Sequence, residues 1–279
     1  MPIAIVTDSG CDLPAELCTK MGIEVVPLKI RFGTDELIDR VELDNTEFWA
    51  RCAASASLPE TSAPSPGDFE AAYRAALDKG ADGIVTITLS SKMSATGQAA
   101  ILGANAFGTD LAFRHVDSLN ASMGEGLTAF AAAELAAGGA DIDAVASLAE
   151  RLAPRTHLLA ALDTLDNLRK GGRIGGAQAM LGSLLSIKPL ITVRDGEVHE
   201  LGKQRTRAKS LAAVVDKLTQ LGTIERLGVM HAQAPDLDAF LERLNAVMPN
   251  TEIVVGEVGP VIGTHVGPAC MGVVAHTAA

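Results

Sequence analysis

Short apolar runs alternate with amphipathic segments along the first half of the chain. Buried-strand runs cover residues 3–6, 83–88 and 111–116, and each is followed by apolar residues at helical spacing. Residues 23–32 alternate between apolar and polar positions and are predicted to form one longer strand. Because strands that alternate with helices usually lie parallel, the first half is predicted to be an α/β unit with a mostly parallel sheet.

The pattern changes after Pro154, which ends a helix. Residues 165–185 are predicted to be helical, with a basic, glycine-rich interruption at residues 170–173. The Asp195-Gly196 pair between two alternating runs predicts a β-hairpin. A glycine- and proline-rich tail, residues 259–272, precedes a last strand near Val273. We therefore predict a second, mixed α/β domain.

The domain prediction divides the chain into residues 1–154 and 155–279. A chain of 279 residues with 48% hydrophobic composition can bury cores for two such domains. The net charge of −11 would repel a phosphate backbone, and 3% aromatic residues leave little stacking surface, so nucleic acid is not an expected partner. The N-terminus lacks a signal-peptide pattern, and no apolar run approaches the roughly 18 residues of a membrane span. We expect a cytoplasmic protein with no transmembrane segment.

The four cysteines, Cys11, Cys18, Cys52 and Cys270, form no C-x-x-C pair. A zinc cluster or a thioredoxin-like centre is therefore not expected. Reduced, mostly buried thiols are predicted, although Cys11 near a strand end could be exposed. No metal site is predicted, because two carboxylates at strand ends, Asp8 and Asp117, are a weak pattern for Mg²⁺.

Two hydroxyl-rich segments are the strongest candidates for a binding site. Residues 61–66 read Thr-Ser-Ala-Pro-Ser-Pro, and residues 88–97 read Thr-Leu-Ser-Ser-Lys-Met-Ser-Ala-Thr-Gly directly after a predicted strand. Ligands of open parallel sheets bind at the carboxyl ends of the strands. Helix capping is the alternative, and it accounts well for Asp12 and Ser122 but not for the whole cluster at residues 88–97. No general base follows at a known nucleophile spacing, so we predict binding of a hydrogen-bond acceptor before catalysis.

Two further features remain open to a functional or a structural interpretation. His265 lies between glycines, which permits close approach of a ligand, but a single histidine is often structural. Basic side chains cluster at residues 170–173 and 203–207 of an acidic protein and could dock an acidic partner or a phosphate. Phosphate-binding loops, dinucleotide fingerprints, nucleophile elbows and zinc-protease motifs do not occur in the sequence.

Seven motifs in the right order make the chain similar, from end to end, to the DegV family of bacterial fatty-acid-binding proteins. They are Thr7-Asp8-Ser9 with Asp12-Leu13-Pro14, residues 61–66, residues 91–96, Asp117-Ser118, residues 170–174, Ile187-Lys188-Pro189 and residues 263–268. The resemblance implies two α/β domains with a long-chain fatty acid, palmitate-like or unsaturated, held between them. It also implies that a partner fatty acid kinase phosphorylates the bound carboxylate.

The resemblance also assigns candidate site residues. Thr61 or Ser62 and Ser94 correspond to the residues that hold the carboxylate, with Ala95 beside them and His265 nearby. Two positions depart from the family pattern, because Ala95 and Ala269 stand where the family usually has glycine.

The remaining predictions follow from the demands of an acyl ligand. An apolar tunnel needs adaptable side chains, and Met93, Met123 and Met271 are candidates to line it. The candidate contacts for a partner are Arg173, Arg205 and Arg207. We therefore expect a lipid carrier that is not an enzyme and needs no cofactor.

Two alternatives remain open. One is a phosphotransferase or acyl-transferase that uses Ser94 or His265 with Asp8 or Asp117. The other is a regulatory module that senses lipid and contacts another protein through its basic clusters.

Overall fold

A four-stranded parallel sheet organises the first half of the computed structural model, which describes residues 2–180 and 187–278. The strands, in the order β2-β1-β6-β7, are β1 (Ile3–Asp8), β2 (Ile23–Val26), β6 (Gly83–Thr88) and β7 (Phe113–Asp117). Every pair in this sheet is parallel, which confirms the predicted arrangement. All six residues of β6 are buried, as expected for a parallel strand covered on both faces.

The prediction of one strand over residues 23–32 is wrong, because Pro27 divides it. Proline has no N–H to donate to a strand ladder, so β2 ends before it. The chain then enters a small antiparallel sheet in the order β4-β3-β5. Its strands are β3 (Lys29–Phe32), β4 (Asp35–Ile38) and β5 (Glu60–Ser62). Thr61 is therefore fixed by strand pairing with Ile30 rather than carried on a free loop.

Helices connect these strands. They are α1 (Ala15–Met21), α2 (Asn45–Ala54), α3 (Pro66–Asp78), α4 (Thr96–Ala104), α5 (Met123–Ala137) and α6 (Ile142–Leu152). Ser65 begins α3 with a capping box, in which its hydroxyl accepts from the Asp68 N–H and the Asp68 carboxylate accepts from the Ser65 N–H. The capping box therefore fixes the carboxyl end of the hydroxyl-rich segment of residues 61–66, whose amino end is held by β5.

A six-stranded mixed sheet forms the second half, in the order β10-β9-β8-β13-β11-β12. The strands are β8 (Thr156–Ala161), β9 (Lys188–Arg194), β10 (Glu197–Gln204), β11 (Ile224–His231), β12 (Ile253–Glu257) and β13 (Met271–Thr277). Only β11 and β12 pair in parallel among these described strands. The predicted hairpin is confirmed, and Asp195 and Gly196 both adopt positive φ in its turn.

Four helices belong to the described part of this half: α7 (Asp166–Lys170), α8 (Arg207–Leu218), α9 (Leu237–Val247) and α10 (Pro260–Val266). The first part of the helix predicted over residues 165–185 is present as α7, and the predicted interruption at residues 170–173 is confirmed, but the continuation as an α-helix over residues 175–180 is wrong. The helix stops at Gly171, Gly172 has φ +70°, and a 3₁₀ turn covers Gly175–Met180. Residues 181–185 of that prediction lie outside the described residues. The glycine- and proline-rich tail contains α10, which Pro260 starts at its first turn.

The two sheets share one large core, with α5 between them. Its buried residues come from β1 and β6 of the first sheet and from β8, β9 and β11 of the second. Helix α5 is buried around most of its circumference, and small residues allow close packing: a Cβ on Gly126 would lie 2.4 Å from the Cys11 carbonyl oxygen. A 3₁₀ turn, Ala153–Arg155, leads from α6 into β8. The domain boundary at residue 154 stays a prediction.

The two departures from the family pattern differ in their backbone conformations. Ala95 has φ −83°, which any residue adopts, so alanine is not strained there. Ala269 has φ +59°, in the left-handed region that favours glycine. Only the second replacement therefore stores backbone strain.

We expect Ala269→Gly to raise the free energy of unfolding by about 0.5–1 kcal/mol, because relief of roughly 1–2 kcal/mol of left-handed strain exceeds the extra chain entropy of glycine. Urea denaturation followed by the fluorescence of Trp49 measures the change. Ala95→Gly is the matched control and should give no such gain. Destabilisation by Ala269→Gly would contradict the strain assignment.

Candidate functional site

An apolar cavity of about 210 Å³ lies between the two sheets. Alternate residues of neighbouring strands form its floor, since side chains of a strand point to opposite faces in turn. These floor residues are Leu158, Ala160, Ile191, Val193, Val198 and Met230. A single water needs roughly 10–15 Å³ of such space, so the cavity has room for a larger apolar guest.

Polar side chains gather at one end of this cavity. Thr61, Ser62, Ser94 and His265 line it there together with Arg173. Ser62 and Arg173 are exposed, so this end reaches the protein surface, whereas the strand floor is buried. The cavity is therefore mainly apolar, and its exposed part with the hydrogen-bonding side chains forms the mouth.

Helix α10 positions His265 against β5. The His265 Nε2 atom lies 3.1 Å from the Thr61 Oγ1 atom, within hydrogen-bond distance. Burial, together with the smaller effect of the Arg173 guanidinium, lowers the pKa of His265 to about 4. The ring is therefore neutral near pH 7. No described residue supplies a partner for its Nδ1 atom, which faces Gly171 so closely that a Cβ there would lie 2.3 Å away.

Ser94 lies at the start of α4. Its Oγ accepts from the Thr96 N–H at 3.3 Å and shares a 2.8 Å hydrogen bond with the Thr96 hydroxyl. Ala95 lies at the cap position and also lines the cavity. The amino end of this nine-residue helix thus lies beside the mouth, where its partial positive charge favours an anion.

The two aspartates predicted at the strand ends, Asp8 and Asp117, hydrogen-bond to backbone N–H groups of nearby loops and do not line the cavity. The Asp8 carboxylate accepts from the N–H groups of Gly10 and Leu89, and Asp117 accepts from Ser91 and Leu119. Burial raises the pKa of Asp8 to about 6 and raises that of the neighbouring Glu125 well above its usual range.

Ser90 also serves the fold. Its hydroxyl donates to the Gly196 carbonyl at 2.7 Å, which holds the β9–β10 hairpin against the N-terminal half. A Cβ on Gly196 would lie 2.5 Å from the Ser90 Oγ atom, so the hairpin turn approaches this segment closely. Of these two serines of residues 88–97, Ser94 lines the cavity, whereas Ser90 holds the hairpin in place.

Helix capping, predicted for Asp12 and Ser122, is not what these residues do. Neither makes a side-chain cap bond in the structure. The Asp12 carboxylate instead accepts from the Ser122 hydroxyl at 2.6 Å and from the Gly259 N–H at 2.9 Å. Burial raises the pKa of Asp12 to about 7. Because Ser122 lines the cavity and Gly259 precedes α10, Asp12 connects the cavity wall to the helix of His265.

One of the three methionines predicted to line a tunnel, Met93, lies at the cavity. Met123 packs instead against Gly228 and Gly256 of the second sheet. Met271 is paired with Ala161, whose side chain lies in the cluster on the opposite face of that sheet, beneath α8 and α9. A second methionine of the cavity, Met230, was missed, because the sequence does not reveal which face of a buried strand points to the ligand.

The three arginines predicted as partner contacts have different surroundings. Arg207 makes a two-pronged ion pair with Asp236 at 2.7 Å and donates to the Ala269 carbonyl at 2.6 Å. Arg173 is exposed at the mouth and donates to the Met93 carbonyl at 3.1 Å. Arg205 is exposed between β10 and α8. Arg207 thus stabilises the fold, whereas Arg173 and Arg205 remain accessible.

The described part of the chain has neither a cluster of metal-ligating side chains nor a helix of membrane-spanning length and hydropathy. Residues 2–180 and 187–278 contain no cluster of three His, Cys, Asp or Glu side chains that could hold a metal ion. None of their helices is long and apolar enough to cross a membrane.

The fold and the cavity define a two-domain α/β protein with a largely apolar cavity that opens at the surface. The model of a family described as an uncharacterised protein, DegV family, matches residues 2–278. A DegV domain-containing protein of Streptomyces coelicolor is 39% identical over 98% of this chain and 97% of its own length. The chain belongs to the DegV family.

Solved structures show the same fold. A fatty-acid-binding DegV family protein from Thermus thermophilus has a TM-score of 0.92 and 34% identity, with full coverage of both chains. DegV of Bacillus subtilis, a fatty acid binding protein, has a TM-score of 0.88 and 29% identity, again over the whole of both chains.

A nuclear magnetic resonance titration tests the environment of His265. We expect its ring to titrate near pH 4, and Arg173→Gln to raise that midpoint while burial keeps it below the usual value of about 6.5. Because the unfolded chain takes up this proton first, the contribution of His265 to stability falls as the pH drops from about 6.5 toward 4. A midpoint near 6.5 in the unaltered protein would contradict a buried, neutral ring.

Proposed function

We propose that this protein binds a long-chain fatty acid, with the acyl chain in the apolar cavity and the carboxylate at the mouth. The observation that carries the proposal is the placement of hydroxyl donors, His265 and a helix amino end at the exposed end of an otherwise apolar cavity. The related proteins from Thermus thermophilus and Bacillus subtilis bind fatty acids and share the fold over their whole length.

The acyl chain supplies most of the affinity in this proposal. Burial of about 14 methylene groups at roughly 0.8 kcal/mol each contributes on the order of 11 kcal/mol. Association costs about 4–15 kcal/mol of lost freedom, so a long chain is needed for tight binding. The apolar floor from β8, β9, β10 and β11 offers the surface for that burial.

Hydrogen-bond donors at the mouth offset the free-energy cost of burying a carboxylate. With the proton on Nε2, His265 donates to the Thr61 oxygen, and the Thr61 hydroxyl is then free to donate to the ligand. When Thr96 donates to Ser94, the Ser94 hydroxyl is free in the same way. Two hydroxyl donors, with exposed Ser62 and Ala95 beside them, and the amino end of α4 therefore favour an anion without a buried ion pair.

The exposed mouth suits a carrier that presents its ligand. A carboxylate held by neutral donors keeps its nucleophilic oxygen and lies where a second protein could reach it. We propose that a fatty acid kinase phosphorylates the bound carboxylate to an acyl phosphate, with exposed Arg173 and Arg205 as contacts. This function needs no metal or cofactor of the carrier itself and belongs to the cytoplasm, where ATP is available.

The geometry favours a carrier over the alternative of an enzyme. The carboxylates of Asp8 and Asp117 accept from backbone N–H groups, and neither residue lines the cavity with Ser94 and His265. His265 is bound to Thr61 rather than to a candidate nucleophile such as Ser94. A phosphotransferase or acyl-transferase would need a base at that serine.

Ser94→Ala should weaken binding of palmitate by roughly 10- to 150-fold, since one hydrogen bond to a charged group is worth roughly 1.5–3 kcal/mol. Binding of hexadecanol should change much less, because the alcohol has no charge at the mouth. Calorimetry with both ligands measures the difference. Ser91→Ala, at an exposed serine of the same loop, is the matched control. Equal losses for acid and alcohol would exclude the carboxylate role of Ser94.

The presentation step is tested by incubating the protein with palmitate, Mg-ATP and a purified fatty acid kinase. Acyl phosphate should form only with both proteins present, and Arg205→Glu should slow it without changing palmitate affinity. Acyl phosphate made by the isolated protein would favour the enzyme alternative. Palmitate binding without any acyl phosphate would favour a lipid-sensing module.

A further inference from the structure

Met230 on β11 has a glycine beside it on each of the two neighbouring strands. In the register of the second sheet it is paired with Gly256 of β12 and with Gly272 of β13. Gly272 is paired in turn with Ala160 of β8, and Ala160 is paired with Ile191 of β9. This row therefore crosses the sheet with two glycines and an alanine around one long side chain.

The Met230 side chain fills the space that Gly272 leaves in the cavity floor. A Cβ on Gly272 would lie 2.7 Å from the Met230 Cε atom and 2.9 Å from the Ala160 Cβ atom. Met230 is 3% exposed, and it lines the cavity together with Ala160 and Ile191, whereas Gly272 does not. The methyl group of Met230 therefore covers a depression above Gly272.

The space on the other side of Met230 is already occupied. A Cβ on Gly256 would lie 2.4 Å from the Asp12 carbonyl oxygen and 2.6 Å from the Met123 Sδ atom. Neither Gly256 nor Met123 lines the cavity. Among the described residues, the cavity floor therefore ends at Met230 in this direction.

The mouth lies toward the opposite edge of the same sheet. Arg173 at the mouth is followed by Gly175, where a Cβ would lie 2.6 Å from the Val198 carbonyl oxygen of β10. Val198 lines the cavity at that edge. Four strand spacings separate β10 from β11, about 19 Å at roughly 4.8 Å each. A ligand with its head at the mouth therefore needs a long tail to reach Met230.

Helix α10 connects the same two ends of the cavity. The Val258 N–H donates to the carbonyl oxygen of His231, the residue after Met230, at 2.8 Å. The chain then enters α10, and His265 near the end of that helix contacts Thr61 at the mouth. Met230 therefore lies at the end of the cavity away from the head-group site.

We propose that Met230 limits the length of the acyl chain that this protein binds, an inference that rests on the proposed fatty-acid site. The terminal methyl group of the bound acid meets the Met230 side chain above Gly272. A shorter acid leaves part of the cavity unfilled, and a longer acid must displace a side chain that has no free space behind it. Methionine suits this position because its unbranched, flexible side chain adapts to the shape of the ligand end.

Met230→Ala should shift the preference toward longer acids, because the substitution opens the space above Gly272 to the ligand. The protein is stripped of lipid and incubated with an equimolar mixture of saturated acids from laurate to behenate. The bound acids are then extracted and quantified by mass spectrometry. Relative to the acid that the unaltered protein prefers, the acid two carbons longer should be enriched about 15-fold, which corresponds to two more buried methylene groups at roughly 0.8 kcal/mol each.

Met271→Ala is the matched control. Met271 is a fully buried methionine of the neighbouring strand β13, but its side chain lies in the cluster beneath α8 and α9. Its loss should leave the distribution of bound acids unchanged. An equal shift in both variants would mean that loosening of the sheet changes the preference, and it would overturn the proposal.

A measurement on the unaltered protein does not depend on the folding of Met230→Ala. With the methionine methyl groups isotopically labelled, the nuclear magnetic resonance signal of Met230 is assigned through the volume-conserving variant Met230→Leu. This signal should shift when the preferred acid is added, and that of Met271 should not.

The outcomes separate this inference from fatty-acid binding itself. Uptake of the acid without a change at the Met230 methyl group would overturn the length limit alone, as would an unaltered distribution of acids in Met230→Ala. Failure of the unaltered protein to take up any of the acids would overturn the proposed function as well.

Discussion

A single buried carboxylate, that of Asp12, holds together the starts of two helices on which the candidate site depends. Asp12 accepts from Ser122 at the start of α5 and from Gly259 at the start of α10, although 247 residues separate it from the second partner. Helix α5 is packed between the two sheets, and α10 carries His265. Asp12 leaves neither the Ser122 hydroxyl nor the Gly259 N–H without a partner in the core. The position of His265 over Thr61 thus depends on this carboxylate.

The cavity follows from how the two sheets meet. Parallel strands of the first sheet end in loops that carry Ser94, and the small antiparallel sheet that begins after Pro27 brings Thr61 beside them. The second sheet contributes one apolar face, and its other face is covered by α8 and α9. The hydroxyls of Thr61 and Ser94 and the ring of His265 therefore lie at the mouth, and apolar side chains of the second sheet form the floor. This division matches a ligand with a charged head and a long hydrocarbon tail.

The sequence predicted the parallel sheet and the hairpin, because strand periodicity and turn chemistry are local features. The sequence also indicated the hydroxyls of Thr61, Ser62 and Ser94, which line the cavity and whose role at a carboxylate stays a prediction. It could not predict that Pro27 would start a second sheet, or that Asp12 and Ser122 would bond to each other across the chain. Met123 and Met271 were predicted to line the cavity but pack elsewhere, because tertiary contacts decide which face of a buried helix or strand meets the cavity. The apolar floor was missed for the same reason.

The central claim is that this cavity holds a fatty acid. It is tested most directly by denaturing the protein purified from cells and identifying the extracted lipid by mass spectrometry. We expect a long-chain fatty acid in roughly equal amount to the protein, and its replacement by added palmitate before denaturation. Extracts without fatty acid, together with no uptake of palmitate by the native protein, would contradict it.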